Sequence, residues 1–564
     1  VIGTVAATLW LVLGAVAFIL LIACANVGGL LIVRGESRLR EMAIRAALGA
    51  MRRHLIGGAL AEGFLLGLIA CAIGLLLAWC GTRLLVHLAP PNLPRLEEVA
   101  IDGRVLGFSV ALSFLVSLLV GLIPGRRLDR IPVQAVLREG GQAASAAKGR
   151  RRLQRLLVVV QVALALTVLT GAGLMLRTYL HLSRVPLGFD PNDVVVVQLA
   201  LPEADYPDDA AAQHFWAALV GRLATMPGVE SAAAISAPPL GGAVSASGQI
   251  IEGLARDAGA PPEFIEKSFI GPGYLKTMRI SLLSGADLTP GDVEQRRGLV
   301  IVDDVLAKRY WPQGALGKRL HPSEESDGRD PWYTIVGVAR SVRSRRVAES
   351  AHGTIYYPLL SRVKNGWVPR EMSLVLRTGL PLGALREAVR REVAAADPNL
   401  PVASLRSMRE LVAVSQASSS FAAVMLLLAL AITLILAAVG IYGFTSYVVS
   451  QRTQELGVRI AIGAQVRDIL RTILGESAAT AVAGIALGML ASALLTRSLT
   501  AILYEVSPLD VLTFSLAPIL TFLLVLAASY VPAIRAAHTE PLRALRPASG
   551  GPASDNSSVR EAED

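Results

Sequence analysis

Seven stretches of the chain lack the polar spacing that a solvent-exposed helix or strand requires. They cover about residues 5–33, 56–88, 104–124, 154–177, 418–450, 474–499 and 511–534. Each reaches the roughly 20 helical residues that cross about 30 Å of hydrocarbon. The pattern therefore predicts seven membrane spans, with Pro518 placed to kink the last. Between the fourth and fifth runs, residues 178–417 alternate apolar and polar positions as a water-soluble domain does. VVVVQLAL (194–201), GLVIVDD (298–304), WYTIVGVARSV (332–342), GTIYYPL (353–359) and MSLVLRT (372–378) read as strands. Residues 208–226, with Phe215, Leu219 and Leu223 at helical spacing, and 381–397, ended by Pro398, read as helices. PPLGGAVSASG (238–248) and HPSEESDGRD (321–330) read as loops, and the tail after residue 547 as disordered. The expected fold class is a polytopic α-helical membrane protein of about seven spans with one external α+β domain.

A repeat organises this pattern. RLREMAIRAALGA (38–50) returns as RTQELGVRIAIGA (452–464), 414 residues later. Glu41, Arg45, Gly49 and Ala50 match Glu455, Arg459, Gly463 and Ala464, and the register continues through Arg53 and Arg467 to Glu62 and Glu476. Each copy follows one apolar run and precedes another, so the chain holds two copies of one module. The expected division is 1–140 for the first module with three spans, 141–177 for a linker and span, 178–417 for the external domain, 418–547 for the second module, and 548–564 for a tail.

Composition sharpens the assignment. The chain has 564 residues, of which 53% are hydrophobic and 17% charged, with mean hydropathy +0.53. The formal charge of +10 comes from Arg clusters flanking apolar runs, which argues for membrane topology and against a nucleic-acid partner. Loops 34–54, 125–153 and 451–472 hold these clusters and fall on one side if the spans alternate; that side is then cytoplasmic. The first residue and 178–417 would lie outside and the C-terminus inside. Val1 runs directly into a span, and the first copy shows no external domain, so an N-terminal truncation is the expectation. Cys24, Cys71 and Cys80 all sit in apolar runs, which leaves the soluble segment without disulfides.

In each repeated helix a Glu precedes an Arg by four residues, a favourable pair of roughly 0.2–0.5 kcal/mol. Ile44, Leu48 and Met51, with Val458 and Ile462 as counterparts, form a neighbouring apolar edge. A short helix of this kind can seat in a partner's groove; the alternative is an interfacial helix with no partner. Gly49 and Gly463 suit the exit turn. Glu62 and Glu476 are acids near the start of their spans, read as interfacial anchors rather than gates. Gly63/Gly67 and Gly484/Gly488 are GxxxG pairs that allow close helix packing. Asp303-Asp304 stands at a strand-to-helix junction, where Asp caps helices, and the Arg run 340–346 reads as a solvated face. No GxxxxGK[ST], HExxH, GxSxG or Cys/His cluster occurs in these residues, so neither a metal nor another cofactor is expected.

The repeat, with its closing stretches PVQAV (132–136) and PLRAL (541–545), resembles the FtsX-like permease domain of MacB-type ABC transporters, in the subgroup where one chain carries both permease halves. VIVDDVLAKRYWPQGALGKRL (300–320) and YTIVGVARSVR (333–343) resemble the MacB-type periplasmic core domain, whose usual pattern has Asn at Asp303 and Gly-Asp at Arg340-Ser341. The resemblance implies a permease in the bacterial inner membrane; MacB-type proteins can carry their ATPase on the same chain, and because GxxxxGK[ST] is absent from this sequence the ATPase is expected on a separate polypeptide. It implies that Glu41, Arg45, Gly49, Glu455, Arg459 and Gly463 lie on two helices that couple to a separate cytoplasmic ATPase dimer. A periplasmic membrane-fusion protein and an outer-membrane channel are further implied partners, and with both halves in one chain a homodimer is not needed. The function implied is efflux driven by movement passed through the spans to the external domain; an FtsX-like regulator of periplasmic enzymes, without transport, is the alternative.

Overall fold

The computed structural model describes residues 9–30, 52–88, 100–127, 142–242, 244–254, 263–294, 298–322, 332–359, 369–500 and 503–538. The chain divides into two compact units: 1–179 with 419–564, and 180–418.

The first half of the helical unit holds α1 (Leu9–Leu30), α2 (Arg52–Leu88), α3 (Gly103–Arg127) and α4 (Gln142–Ser183). Asp102 caps α3, its Oδ1 accepting from Val105 N at 2.9 Å. α2 and α3 pack as a hairpin at Gly67, where a Cβ would collide with the Ser117 side chain. Six helices among the described residues are long and apolar enough to cross a membrane. The remaining expected run, 104–124, is helical within α3, with Gly103–Leu115 as its apolar part.

The soluble unit is built on a sheet of eleven described strands. One part is a four-stranded antiparallel sheet in the order β11-β1-β10-β2. Its first half is β1 (Val194–Ala200), α5 (Asp209–Ala224) and β2 (Val229–Ile235). Its second is β10 (Glu371–Thr378), α9 (Leu382–Ala396) and β11 (Ser404–Ser407). Two interleaved βαβ halves in this order make a ferredoxin-like split βαβ arrangement. α5 and α9 pack together, and α5 also packs on β2 and β10. The short helix α6 (Tyr274–Met278) packs on β2 and β10 as well. β1 and β10 therefore read as near-continuous apolar runs. The buried stripe of α5 is Ala212, Trp216, Leu219 and Leu223. Phe215, expected in that stripe, lies at its edge against Tyr206 and Trp216.

The other part is a closed ring in the order β4-β3-β7-β8-β6-β9, with β9 returning to pair in parallel with β4. Its strands are β3 (Ser245–Ile251), β4 (Glu263–Ile270), β6 (Leu299–Asp303), β7 (Arg319–Pro322), β8 (Tyr333–Ala339) and β9 (Thr354–Pro358). β5 (Leu282–Gly285) adds to β8, α7 (Pro290–Glu294) follows β5, and α8 (Asp304–Tyr310) follows β6. Closure leaves this ring without free strand edges. Three sequence expectations are corrected here. Residues 245–248, read as loop, begin β3, because its inward positions are polar. Ser247 and Gln249 are buried, Gln249 Nε2 donates to Ser247 Oγ at 2.9 Å, and Tyr357 O–H donates to Gln249 Oε1 at 2.9 Å. His321 and Pro322, also read as loop, belong to β7. The Arg run is not simply a solvated face: Arg345 pairs with buried Glu266, and Ser344 Oγ donates to the same carboxylate at 2.6 Å.

The chain re-enters the helical unit through α10 (Met408–Gln451), followed by α11 (Thr453–Ala461), α12 (Val466–Leu495) and α13 (Val511–Ala537). α13 contains Pro518 and Pro532, and Asp510 caps it by accepting from Thr513 N at 2.8 Å. Gly484 and Gly488 on α12 meet α4 closely. A Cβ at Gly488 would lie 2.8 Å from Ala163 O, and one at Gly484 would lie 2.9 Å from Val159 O. This GxxxG pair thus serves backbone approach.

Candidate functional site

The segment 452–464 is a short helix set between two turns. Arg452 N donates to Val449 O at 3.0 Å as α10 ends, and Arg452 becomes the N-cap of α11. The nine residues of α11 stop at Gly463, whose φ of 101° lies in the left-handed region. There Ala464 N donates to Arg459 O at 2.9 Å and closes the C-terminal turn. α12 starts three residues later, where Asp468 Oδ2 accepts from Gln465 N at 3.2 Å.

Two contacts fix α11 to the spans. Leu456 is buried with Ile469 and Ile473 of α12 and Ala533, Ala536 and Ala537 of α13. Arg452 Nη1 meets Glu476 Oε1 at 2.7 Å, so the acid near the start of α12 is paired with the base of α11. On the open face, Glu455 Oε1 accepts from Arg459 Nη2 at 2.7 Å, with both side chains about half exposed. Val458 is 42% and Ile462 81% exposed beside this pair. The helix therefore has an inner apolar edge, Leu456 and Ile460, and an outer one, Val458 and Ile462. Beside it a cavity of about 290 Å³ is lined by Arg155, Arg452, Glu455, Arg459 and Glu476 among others.

In the first copy, Glu41, Arg45 and Gly49 lie outside the described residues, as do both closing stretches. Glu62 is half-buried on α2. In the soluble unit, Asp303 is the N-cap of α8, its Oδ1 accepting from Leu306 N at 2.9 Å. Asp304 binds Ser341 N at 2.9 Å and Lys308 at 2.6 Å. Both carboxylates serve local structure. His214 is exposed on α5. Among the described residues no group of three or more His, Cys, Asp or Glu is placed to hold a metal.

Sequence reading missed two other features. Arg377 on β10 is buried, with Nε donating to Thr277 O at 2.8 Å, Nη1 to Asn192 O at 2.8 Å and Nη2 to Asp190 O at 3.2 Å. Within the spans, the amides of Asn26 and Gln161 bond backbone carbonyls of α10. A lone amide in an apolar run has no periodicity to betray it.

The architecture defines a multi-pass helical membrane protein carrying a soluble α+β domain between its helical modules. Residues 13–133 and 427–541 each match the sequence model of the FtsX-like permease C-terminal family. The two matches begin at residues 13 and 427, the same offset as the repeat. Both helical modules are thus similar to the FtsX-like permease C-terminal domain. The chain is 24% identical over 295 residues to a probable export ATP-binding/permease protein of Pseudomonas fluorescens, covering 48% of this chain and 41% of the relative. It is 33% identical over 116 residues to the macrolide export ATP-binding/permease protein MacB of Nitrobacter winogradskyi, covering 20% of this chain and 18% of MacB. Over 119 residues it is 34% identical to the pyoverdine export protein PvdT of Pseudomonas putida, covering 20% and 17%. The chain thus spans less than half the length of these relatives. The periplasmic region of MacB from Actinobacillus actinomycetemcomitans aligns with 39% of the chain and 91% of that structure, at 13% identity and a TM-score of 0.28.

Proposed function

We propose that this chain is the permease part of an ABC-type export system in the bacterial inner membrane. In this reading α11 and its counterpart at 38–50 face the cytoplasm and seat on the two subunits of an ATPase dimer supplied by a separate chain. The single supporting observation is the construction of α11. Its inner edge is clamped to α12 and α13, while its outer face presents Glu455, Arg459, Val458 and Ile462 on a helix that the sequence repeats 414 residues apart. A docking helix needs both an exposed, charge-patterned face and a rigid attachment that passes movement inward. The Arg-rich loops 34–54, 125–153 and 451–472 support a cytoplasmic position for both helices. The soluble unit then lies in the periplasm, where a fusion protein and an outer-membrane channel could continue the path. The relatives' names concern export of macrolides and of pyoverdine.

The test is ATP turnover by the ATPase that co-purifies with the full chain. The Glu41→Lys/Glu455→Lys double variant should abolish stimulation of that ATPase by the permease, and either single variant should leave part of it. Normal stimulation by a correctly inserted double variant would refute the assignment of these helices.

A further inference from the structure

The 414-residue offset also relates α1 to α10, and the structure brings those two helices together at matching positions. Ala15 and its counterpart Ala429 share one buried cluster with Ala172, Met175 and Leu426. Ile22 is fully buried, and its counterpart is Leu436. Four residues further on, Asn26 meets the helix at Gly440, its own counterpart: a Cβ on Gly440 would collide with Asn26 Oδ1 and with the Gln161 amide. Positions 15, 22 and 26 lie on one helical stripe, as do 429, 436 and 440. A contact made by the same positions of two repeats is the signature of a two-fold pairing.

The symmetry is broken at one place. Asn26 Nδ2 donates to Leu436 O at 2.8 Å. Gln161 Nε2, from α4, donates to Leu436 O at 3.0 Å and to Ala437 O at 3.1 Å. All three bonds need the space that Gly440 leaves. An α10 facing a second α10 would set glycine against glycine and lose the Asn26 bond. An α1 facing a second α1 would set Asn26 against Asn26, with no glycine gap on either side. In hydrocarbon an unpaired amide has no water to turn to, so the mismatch is costly. We infer that α1 and α10 join the two halves of this chain across a pseudo-two-fold axis, and that Asn26 set against Gly440, with Gln161, specifies pairing within one chain over pairing with a second copy. This deepens the proposed function, in which one chain supplies both docking helices.

The experiment uses the full chain in native membranes with Cys24, Cys71 and Cys80 replaced by Ala. Cysteines at Ala15 and Ala429 are bridged with a short bis-maleimide. A chain carrying both cysteines should cross-link to itself, while two differently tagged chains carrying one each should not cross-link to one another. Gly440→Ala should lower the within-chain yield by about threefold for each amide bond lost. Adding Asn26→Ala should restore much of it. Gly443→Ala, at a glycine with open space around it, should change nothing. Absence of a within-chain product, equal cross-linking between chains, or a Gly440→Ala yield matching that of Gly443→Ala would each overturn the proposal. No ATPase enters this readout, so its failure is distinct from failure of the docking assignment.

Discussion

Asp303 gives the soluble domain a pH dependence that can be worked out from its surroundings. The residue is fully buried. Its Oδ1 caps α8, and its Oδ2 is buried beside the Thr354 amide. Burial is the main cause that pushes its pKa up to about 7; nearby Asp304 and Glu266 push the same way, while the Leu306 and Thr354 amides hold it back. Tyr356 and Tyr274, both buried and both raised by burial, stay neutral and supply no compensating charge. Arg345 and Ser344 on the neighbouring segment are engaged with Glu266. The unfolded chain would ionise Asp303 near its ordinary value of 3.8. The native state therefore binds the extra proton between 3.8 and about 7. Stability from this group is fully present below the lower value, falls as pH rises, and levels off above the upper one.

The full difference is about 4 kcal/mol at 1.36 kcal/mol per pH unit, and roughly half of it falls between pH 5.5 and 8. Asn at this position keeps the cap and cannot ionise, and the family pattern that the segment resembles has Asn there. Asp303→Asn should therefore stabilise the domain by about 2 kcal/mol more at pH 8 than at pH 5.5. The assay is native-state hydrogen exchange on the full chain, following peptides over 299–310 and 353–358 at both pH values and correcting for intrinsic exchange rates. Equal effects of the substitution at the two pH values, or a larger gain at pH 5.5, would refute the reasoning.

Other outcomes follow from single contacts. Arg377→Leu should cost about 3–5 kcal/mol, since it leaves the carbonyls of Thr277, Asn192 and Asp190 without their buried donor; loss of exchange protection over 371–378 reads it. Glu476→Gln should weaken stability by less than about 1 kcal/mol because the pair with Arg452 is partly exposed. It should nevertheless loosen α11, seen as faster exchange over 453–461. Gly488→Val should disrupt α12 against α4, because its Cβ meets backbone atoms of Ala163 that cannot rotate away; lower yield of folded, detergent-extracted protein measures it, with Gly475→Val, at a glycine with open space, as the control.

The sequence carried these features unequally, and the physical reasons differ. Long apolar runs are visible because a bilayer demands a fixed length of them. β1 and β10 are visible because both faces are covered and the run is continuously apolar. β3 is hidden because its buried positions are Ser247 and Gln249, so a hydrophobic pattern is missing where burial is real. In the candidate site, Glu455 and Arg459 are legible as an i, i+4 pair. Arg452 and Glu476 are 24 residues apart and meet only because the left-handed turn at Gly463 folds α12 back beside α11. Neither residue alone signals the other.

The same logic says where rigidity is needed and where it is placed. A short helix that passes movement into a bilayer is useful only if it moves with its spans rather than rolling on them. Leu456 and the Arg452–Glu476 pair hold α11 at two points on its inner side, one near its start and one a turn along. α12 is in turn set against α4 at Gly484 and Gly488, where backbones touch and no side chain can yield. α4 is tied to α10 by Gln161, and α1 to α10 by Asn26. The chain of stiff contacts thus runs from α11 through α12 and α4 to the α1–α10 pair, so that, in the proposed function, displacement of α11 would reach the first half of the chain. In the proposed function, softening the polar links at Arg452–Glu476 or at Asn26 should uncouple the two halves without unfolding either, whereas substitutions on the outer face of α11 should abolish docking and leave the halves joined.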